Sequence, residues 1–247
     1  MTQATLIAQA GRTATVTRDT VEQPSLWERL ALASGMGFVA CLLAAAFFFP
    51  LPPFDAPAAQ LADWYAGNRD AIFAQAYVRG IGGLLQIIFV AAMVGVIRRA
   101  EGGMGTLGLL AFGGGVMHTL AMNLANAVGV AAALAAGEGI DPAMVSALHT
   151  LAESFLNLEA FPNALLAGTA GVALLRTRAV SRWVAALVLA AAAVYLLGAG
   201  AFPGSPLLPV AFIGLPMEFL WFSVTSAALV ARSFARRPAP QPQIATA

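Results

Sequence analysis

The chain has 247 residues, 60% of them hydrophobic and only 10% charged, with a mean hydropathy of +0.79. Soluble domains carry about 25% charged residues, so a water-soluble fold is excluded, and so is disorder. The 13 basic residues, all arginine, offset 12 acidic ones to a net charge of +1, with no basic stripe to hold a nucleic acid, and the single Cys41 excludes a disulfide scaffold.

The composition predicts an all-α polytopic membrane bundle of six transmembrane helices. The apolar stretches long enough to cross a bilayer are 30–49, 71–97, 104–136, 142–175, 182–201 and 207–231. Their continuous Ala, Leu, Val, Gly and Phe content argues against a β-barrel, which alternates apolar and polar residues. Residues 1–28 are expected to form a flexible cytoplasmic tail, 29–232 the membrane domain and 233–247 a second cytoplasmic tail. Pro24-Ser-Leu-Trp-Glu28 supplies a capping serine three residues before a glutamate. The long, mixed-charge region before span one predicts an uncleaved segment, not a signal peptide.

Arginine placement predicts the orientation. Arg18 and Arg29 precede span one, Arg98 and Arg99 follow span two, and Arg176, Arg178 and Arg182 lie between spans four and five. Arg232, Arg236 and Arg237 follow span six, while the opposite side carries Asp55, Asp63, Asp70, Glu138 and Asp141 with Arg69 alone. By the positive-inside rule both termini are cytoplasmic, in a bacterial inner (plasma) membrane.

Between spans one and two, Pro50, Pro52, Pro53 and Pro57 favour extended chain. Leu61, Trp64 and Tyr65 then recur at helical spacing before Gly67, which predicts a short extracytoplasmic helix lying in the interface. It can act as an aromatic anchor over the loop or as a lid over a cavity.

Polar residues inside spans are costly unless they face a partner or water. Span two carries Arg79 and Gln86, span three His118, Asn123 and Asn126, span four His149, Glu153, Asn157, Glu159 and Asn163, and span six Glu218. Spans three and four join through a short turn near 137–142. Reflection about that turn sets Asn126 opposite Glu153, Asn123 near Asn157, and His118 near Asn163. At 1.5 Å per residue, Arg79, His118, Glu153, Glu159 and Glu218 all fall about 20 to 33 Å above the cytoplasmic helix ends. Arg79 is the expected counter-charge for Glu153 or Glu159. Pro162 and Pro216 interrupt helical hydrogen bonding in the same layer. The candidate ligand-binding residues are therefore Arg79, His118, Asn123, Asn126, Glu153, Asn157, Glu159, Asn163 and Glu218, around an outward-facing cavity. The competing reading is a self-satisfied network that holds the helices together.

His149 and Glu153 sit at i, i+4, a spacing suited to metal ligands. His118 lies about 18 Å lower by the same rise, so the two histidines should not meet, and no metal or other cofactor is expected. Gly113-Gly-Gly115 has no following lysine and reads as packing. No nucleophile elbow or triad is present, so there is no assigned catalytic residue.

The stretch Ala62-Asp-Trp-Tyr-Ala-Gly-Asn-Arg-Asp-Ala-Ile-Phe-Ala-Gln-Ala-Tyr-Val-Arg-Gly80, the Arg98-Arg-Ala-Glu-Gly102 turn and Phe161-Pro162 carry a resemblance. They resemble a group of uncharacterised six-helix bacterial membrane proteins of actinobacterial type. The resemblance implies fold and location, and no activity.

The expectation is a non-enzymatic protein in the lipid bilayer that binds a small molecule, lipid or proton, as a sensor, accessory subunit or small transporter. The alternatives are a membrane-embedded enzyme acting on a lipid or quinone and a structural subunit of a membrane complex.

Overall fold

A computed structural model describes residues 25–53, 56–101, 105–200 and 206–235. Residues 1–24 and 236–247, most of the two expected tails, lie outside the described residues, as do 54–55, 102–104 and 201–205. The described residues form helices and no strand. In chain order these are α1 (Leu26–Phe47), α2 (Ala58–Gly67), α3 (Arg69–Glu101), α4 (Thr106–Gly137), α5 (Pro142–Leu158), α6 (Ala160–Thr177), α7 (Arg182–Gly198) and α8 (Leu208–Ala235). Helices α5 and α6 are two halves of one apolar stretch, Pro142–Thr177, broken at Glu159.

Local signals explain most of these boundaries. The Ser25 hydroxyl accepts from the Glu28 amide at 3.1 Å and opens α1. Asp141 caps α5 by accepting from the Ala143 amide at 2.9 Å, with Pro142 in the first turn, where a missing N–H costs nothing. Ser181 caps α7, and α6 ends on Arg178, whose φ of 52° is left-handed. The Glu28 side chain, expected to reach back into its own cap, instead pairs with Arg99 at the end of α3.

Five helices are long and apolar enough to cross a membrane: α1, α3, α4, the α5–α6 unit and α8. Large apolar side chains such as Leu84, Met117, Leu120, Leu196 and Phe212 point out from the bundle. An exterior of that kind would aggregate in water and suits lipid. The chain is a helical membrane protein.

The apolar helices close into a ring in which α1 packs on α3, α3 on α4, α4 on the α5–α6 unit, α6 on α7, α7 on α8, and α8 back on α1. Glycine allows the closest approaches. A Cβ on Gly35 would fall 2.8 Å from the Phe89 ring, and one on Gly114 would fall 2.6 Å from the Leu166 backbone nitrogen. Hydroxyls tie the same seams. Ser34 donates to the Leu85 carbonyl at 2.9 Å and Ser226 to the Leu32 carbonyl at 2.6 Å. The core centres on Phe38, Phe89, Trp221 and Phe222, with Phe38 edge-on to Phe222 at 4.7 Å.

Helices α3 and α4, of 33 and 32 residues, are each about 50 Å long, well beyond a hydrocarbon core of about 30 Å. Their excess length has a use. Leu61 and Tyr65 of α2 pack with Ile72, Ala132, Ala133 and Val145 in a second small core beside the α4–α5 turn. The Tyr65 hydroxyl meets His149 Nδ1 at 3.0 Å. Burial, and then the neighbouring Glu153 carboxylate, push the Tyr65 phenol up to about 12. A phenol whose proton is held more tightly when folded stabilises the fold at neutral pH, and that contribution fades from about pH 10 upward through 12. Tyr65→Phe should therefore remove a phenolate absorbance that titrates near 12. It should also cost about 1 kcal/mol at neutral pH, read from denaturant unfolding in micelles.

Candidate binding site within the bundle

The polar side chains gather on the inner faces of the ring. His118 of α4 is wholly buried, and its Nδ1 lies 2.6 Å from Gln86 Nε2 of α3. Behind Gln86, the Thr119 hydroxyl lies 2.9 Å from Gln86 Oε1 and 3.0 Å from the Gly115 carbonyl. On the other edge of the ring, His118 Nε2 is 3.5 Å from Glu218 Oε1 of α8 and 3.9 Å from Glu159 Oε2. Glu218 is 5% exposed at its side chain and Glu159 20%.

Backbone geometry brings these groups together. Gly114, one turn before His118, lies against the backbone of Pro162 and Leu166, so α4 and α6 touch without intervening side chains. Pro162 falls in the first turn of α6, and its missing N–H leaves the Leu158 carbonyl without a helical partner. The break at Glu159 follows, and Glu159 sits at the junction of α5 and α6. Pro216 lies within a continuous α8, two residues before Glu218.

A cavity of about 150 Å³ lies beside the cluster, between the α5–α6 break, α7 and α8. Its polar wall is Asn157, Glu159, Asn163, Tyr195 and Glu218, and it reaches Gly198 at the end of α7. Arginine is absent from this wall. Tyr195 accepts a hydrogen bond from Trp221 Nε1 at 3.0 Å, which fixes its hydroxyl next to Asn163 and Glu218. His118 Nε2, Glu159 Oε2, Glu218 Oε1 and Asn163 Oδ1 are buried and have no hydrogen-bond partner in the protein.

The nine candidate residues thus divide. His118, Glu159, Asn163 and Glu218 converge, and Asn157 joins them on the cavity wall. Arg79 and Asn126 form a separate pair, with Arg79 Nη1 donating to Asn126 Oδ1 at 3.1 Å. Arg79 makes no ion pair with Glu153 or Glu159. Glu153 is exposed, and Asn123 is exposed beside Gly83 of α3. Helix α2 contributes no residue to the cavity wall and packs beside the α4–α5 turn. Gln86, Thr119 and Tyr195 were not among the candidates. Gln86 showed as a polar residue in a span, and Tyr195 as the one hydroxyl-bearing ring in an Ala/Leu/Val helix, but Thr119 carried no signal.

His149, which stands at metal-ligand spacing from Glu153 in the sequence, meets Tyr65. Among the described residues, the group that could hold an ion is His118, Glu159 and Glu218, whose ligand atoms all lie within 4.8 Å of one another. No family model matches the chain, and neither a curated protein nor a solved structure is found similar to it.

Proposed function

We propose that this is a six-span protein of a bacterial inner membrane, with both termini cytoplasmic, that binds a small polar ligand in an outward-facing acidic cavity. The sixth span is α7. Its 17 residues cover about 25 Å, and it packs between α6 and α8 as a full member of the ring. The orientation rests on the arginines gathered at one end: Arg99 with Glu28, Arg29 over the Phe234 ring at 4.4 Å, and Arg232 donating to the Arg178 carbonyl at 2.6 Å.

The observation that carries the binding reading is the set of four buried acceptor or ring atoms without protein partners beside one cavity. A network serving only to join helices would satisfy its own members, because an unmade bond at that depth costs more than such a bond returns. Two carboxylates and no arginine in the wall select ligands that donate hydrogen bonds or carry positive charge. Binding, as in a sensor, an accessory subunit or a small transporter, needs no further group from the protein.

Cysteine labelling tests the cavity and the orientation together. In a Cys41→Ala background, an impermeant thiol reagent applied to intact cells should modify Asp141→Cys and Asn157→Cys. Added Gly214→Trp should protect only the second, because Gly214 lines the cavity and a Cβ there would already stand 3.8 Å from the Tyr195 ring. If Asp141→Cys reacts only from the cytoplasmic side the orientation is wrong. If Asn157→Cys reacts from neither side, the cavity is closed and the reading fails.

A further inference from the structure

We propose that His118, Glu159 and Glu218 are the ligands of a divalent first-row transition-metal ion. This rests on the cavity being a binding site, and it names the ligand class.

Three observations carry it. First, the donors are aimed at a common point. Ligand atoms about 2.0 to 2.2 Å from an ion at tetrahedral angles stand about 3.4 Å apart. His118 Nε2 is 3.5 Å from Glu218 Oε1 and 3.9 Å from Glu159 Oε2, so a small inward turn of Glu159, the most exposed of the three, completes the set. Second, these three atoms are buried and make no hydrogen bond to any protein group, facing only one another, although the other ring nitrogen of His118 is engaged by Gln86. Third, the charge balances. Two carboxylates neutralise a divalent cation, and the nearest intramembrane cation, Arg79, is held by Asn126. A divalent cation gives a neutral assembly, which sits in a membrane at low cost, without either carboxylate having to take up a proton.

The donor set narrows the ion. Imidazole with two carboxylates suits Zn²⁺, Mn²⁺ or Fe²⁺, whereas Mg²⁺ and Ca²⁺ prefer oxygen alone and Cu⁺ prefers sulfur. Three protein ligands leave a further position facing Asn163 and the cavity, as in zinc sites that keep an exchangeable place for water or substrate.

Gln86 is the positioning residue. For Nε2 to bind an ion, the imidazole proton must sit on Nδ1 and be accepted from behind. The Gln86 carboxamide is nearly symmetric, and one half-turn exchanges its oxygen and nitrogen while keeping every contact. Nδ1–H then donates to Gln86 Oε1, the amide nitrogen donates to Thr119 Oγ1, and the Thr119 hydroxyl donates to the Gly115 carbonyl, 3.0 Å away. The chain ends on a backbone acceptor.

The test uses the full chain purified in detergent, loaded with Co²⁺ or Zn²⁺ and passed through gel filtration. Wild type should retain about one ion per chain, with the visible absorption of low-coordinate Co²⁺. His118→Asn and Glu218→Gln should lose both, and Gln86→Leu should bind about 10- to 100-fold more weakly while folding normally by circular dichroism. His149→Asn should bind as wild type does. If His118→Asn and Glu218→Gln do not fold, Glu159→Gln and Gln86→Leu decide the matter. Folded wild type that retains no ion overturns the proposal, as does binding unchanged in a folded ligand variant. If Asn157→Cys is labelled from outside but no ion is held, the cavity reading stands and the metal fails alone.

Discussion

Gly114→Ala should destabilise the bundle by about 2 kcal/mol, a large effect for one added methyl group. Its Cβ would stand 2.6 Å from the Leu166 nitrogen, 2.9 Å from the Pro162 carbonyl oxygen and 3.0 Å from the Leu166 Cα. All three are backbone atoms, so no rotamer change relieves the overlap. Helices α4 and α6 must part, and His118 moves with α4 away from Glu159. Gly113→Ala is the control, because a Cβ there meets nothing within 4 Å. A helical glycine in open space should gain about 0.5 to 1 kcal/mol on becoming alanine. Denaturant unfolding of the two variants in mixed micelles should therefore shift in opposite directions. Equal stability of Gly114→Ala and wild type would show that α4 and α6 do not meet backbone to backbone.

Trp221→Ala should be the most damaging truncation, at about 3 kcal/mol. That is the lower end of the range for buried tryptophans, because the unfolded helix here leaves its apolar groups in lipid and the transfer from water is missing. What remains is lost packing. Trp221 is completely buried, lies 3.8 Å from the Phe222 ring centre, and donates to Tyr195 at 3.0 Å. Trp221→Phe separates the two roles. It keeps most of the packing and loses the hydrogen bond, so it should cost about 0.6 kcal/mol while freeing the Tyr195 hydroxyl. If Trp221→Phe is as damaging as Trp221→Ala, the hydrogen bond rather than the packing holds α7 to α8.

The sequence placed the polar groups along their helices and left the partner of each open. Counting 1.5 Å per residue put His118, Glu159 and Glu218 about 20 to 24 Å from the cytoplasmic ends, and these three meet. Glu153, about 33 Å up, was grouped with them by the shared outer half, by reflection opposite Asn126 and as a counter-charge for Arg79. It lies outside the cluster. Arg79 shows why charge alone misleads. The sequence offers two glutamates as its partners, and the structure pairs it with an amide, because rotation about the helix axis decides which neighbour a side chain meets. One residue of helix turns a side chain by about 100°, so a correct height leaves the direction open. Reflection about the α4–α5 turn set His118 near Asn163, and both residues lie beside Glu218.

The sequence by itself determined a helical membrane chain, the limits of its apolar segments to within a few residues, the cap at Ser25, and the short aromatic helix after the first span. Each follows from local chemistry, since backbone groups in lipid must bond within their own segment and a cap needs only the residue beside it. The tertiary structure alone decided that α8 returns to α1, that α7 with Tyr195 forms one wall of the cavity, and that Gln86 stands behind His118. Those contacts join residues far apart in the chain through helix rotation and glycine-permitted approach. Neither is written in the hydropathy of any one segment.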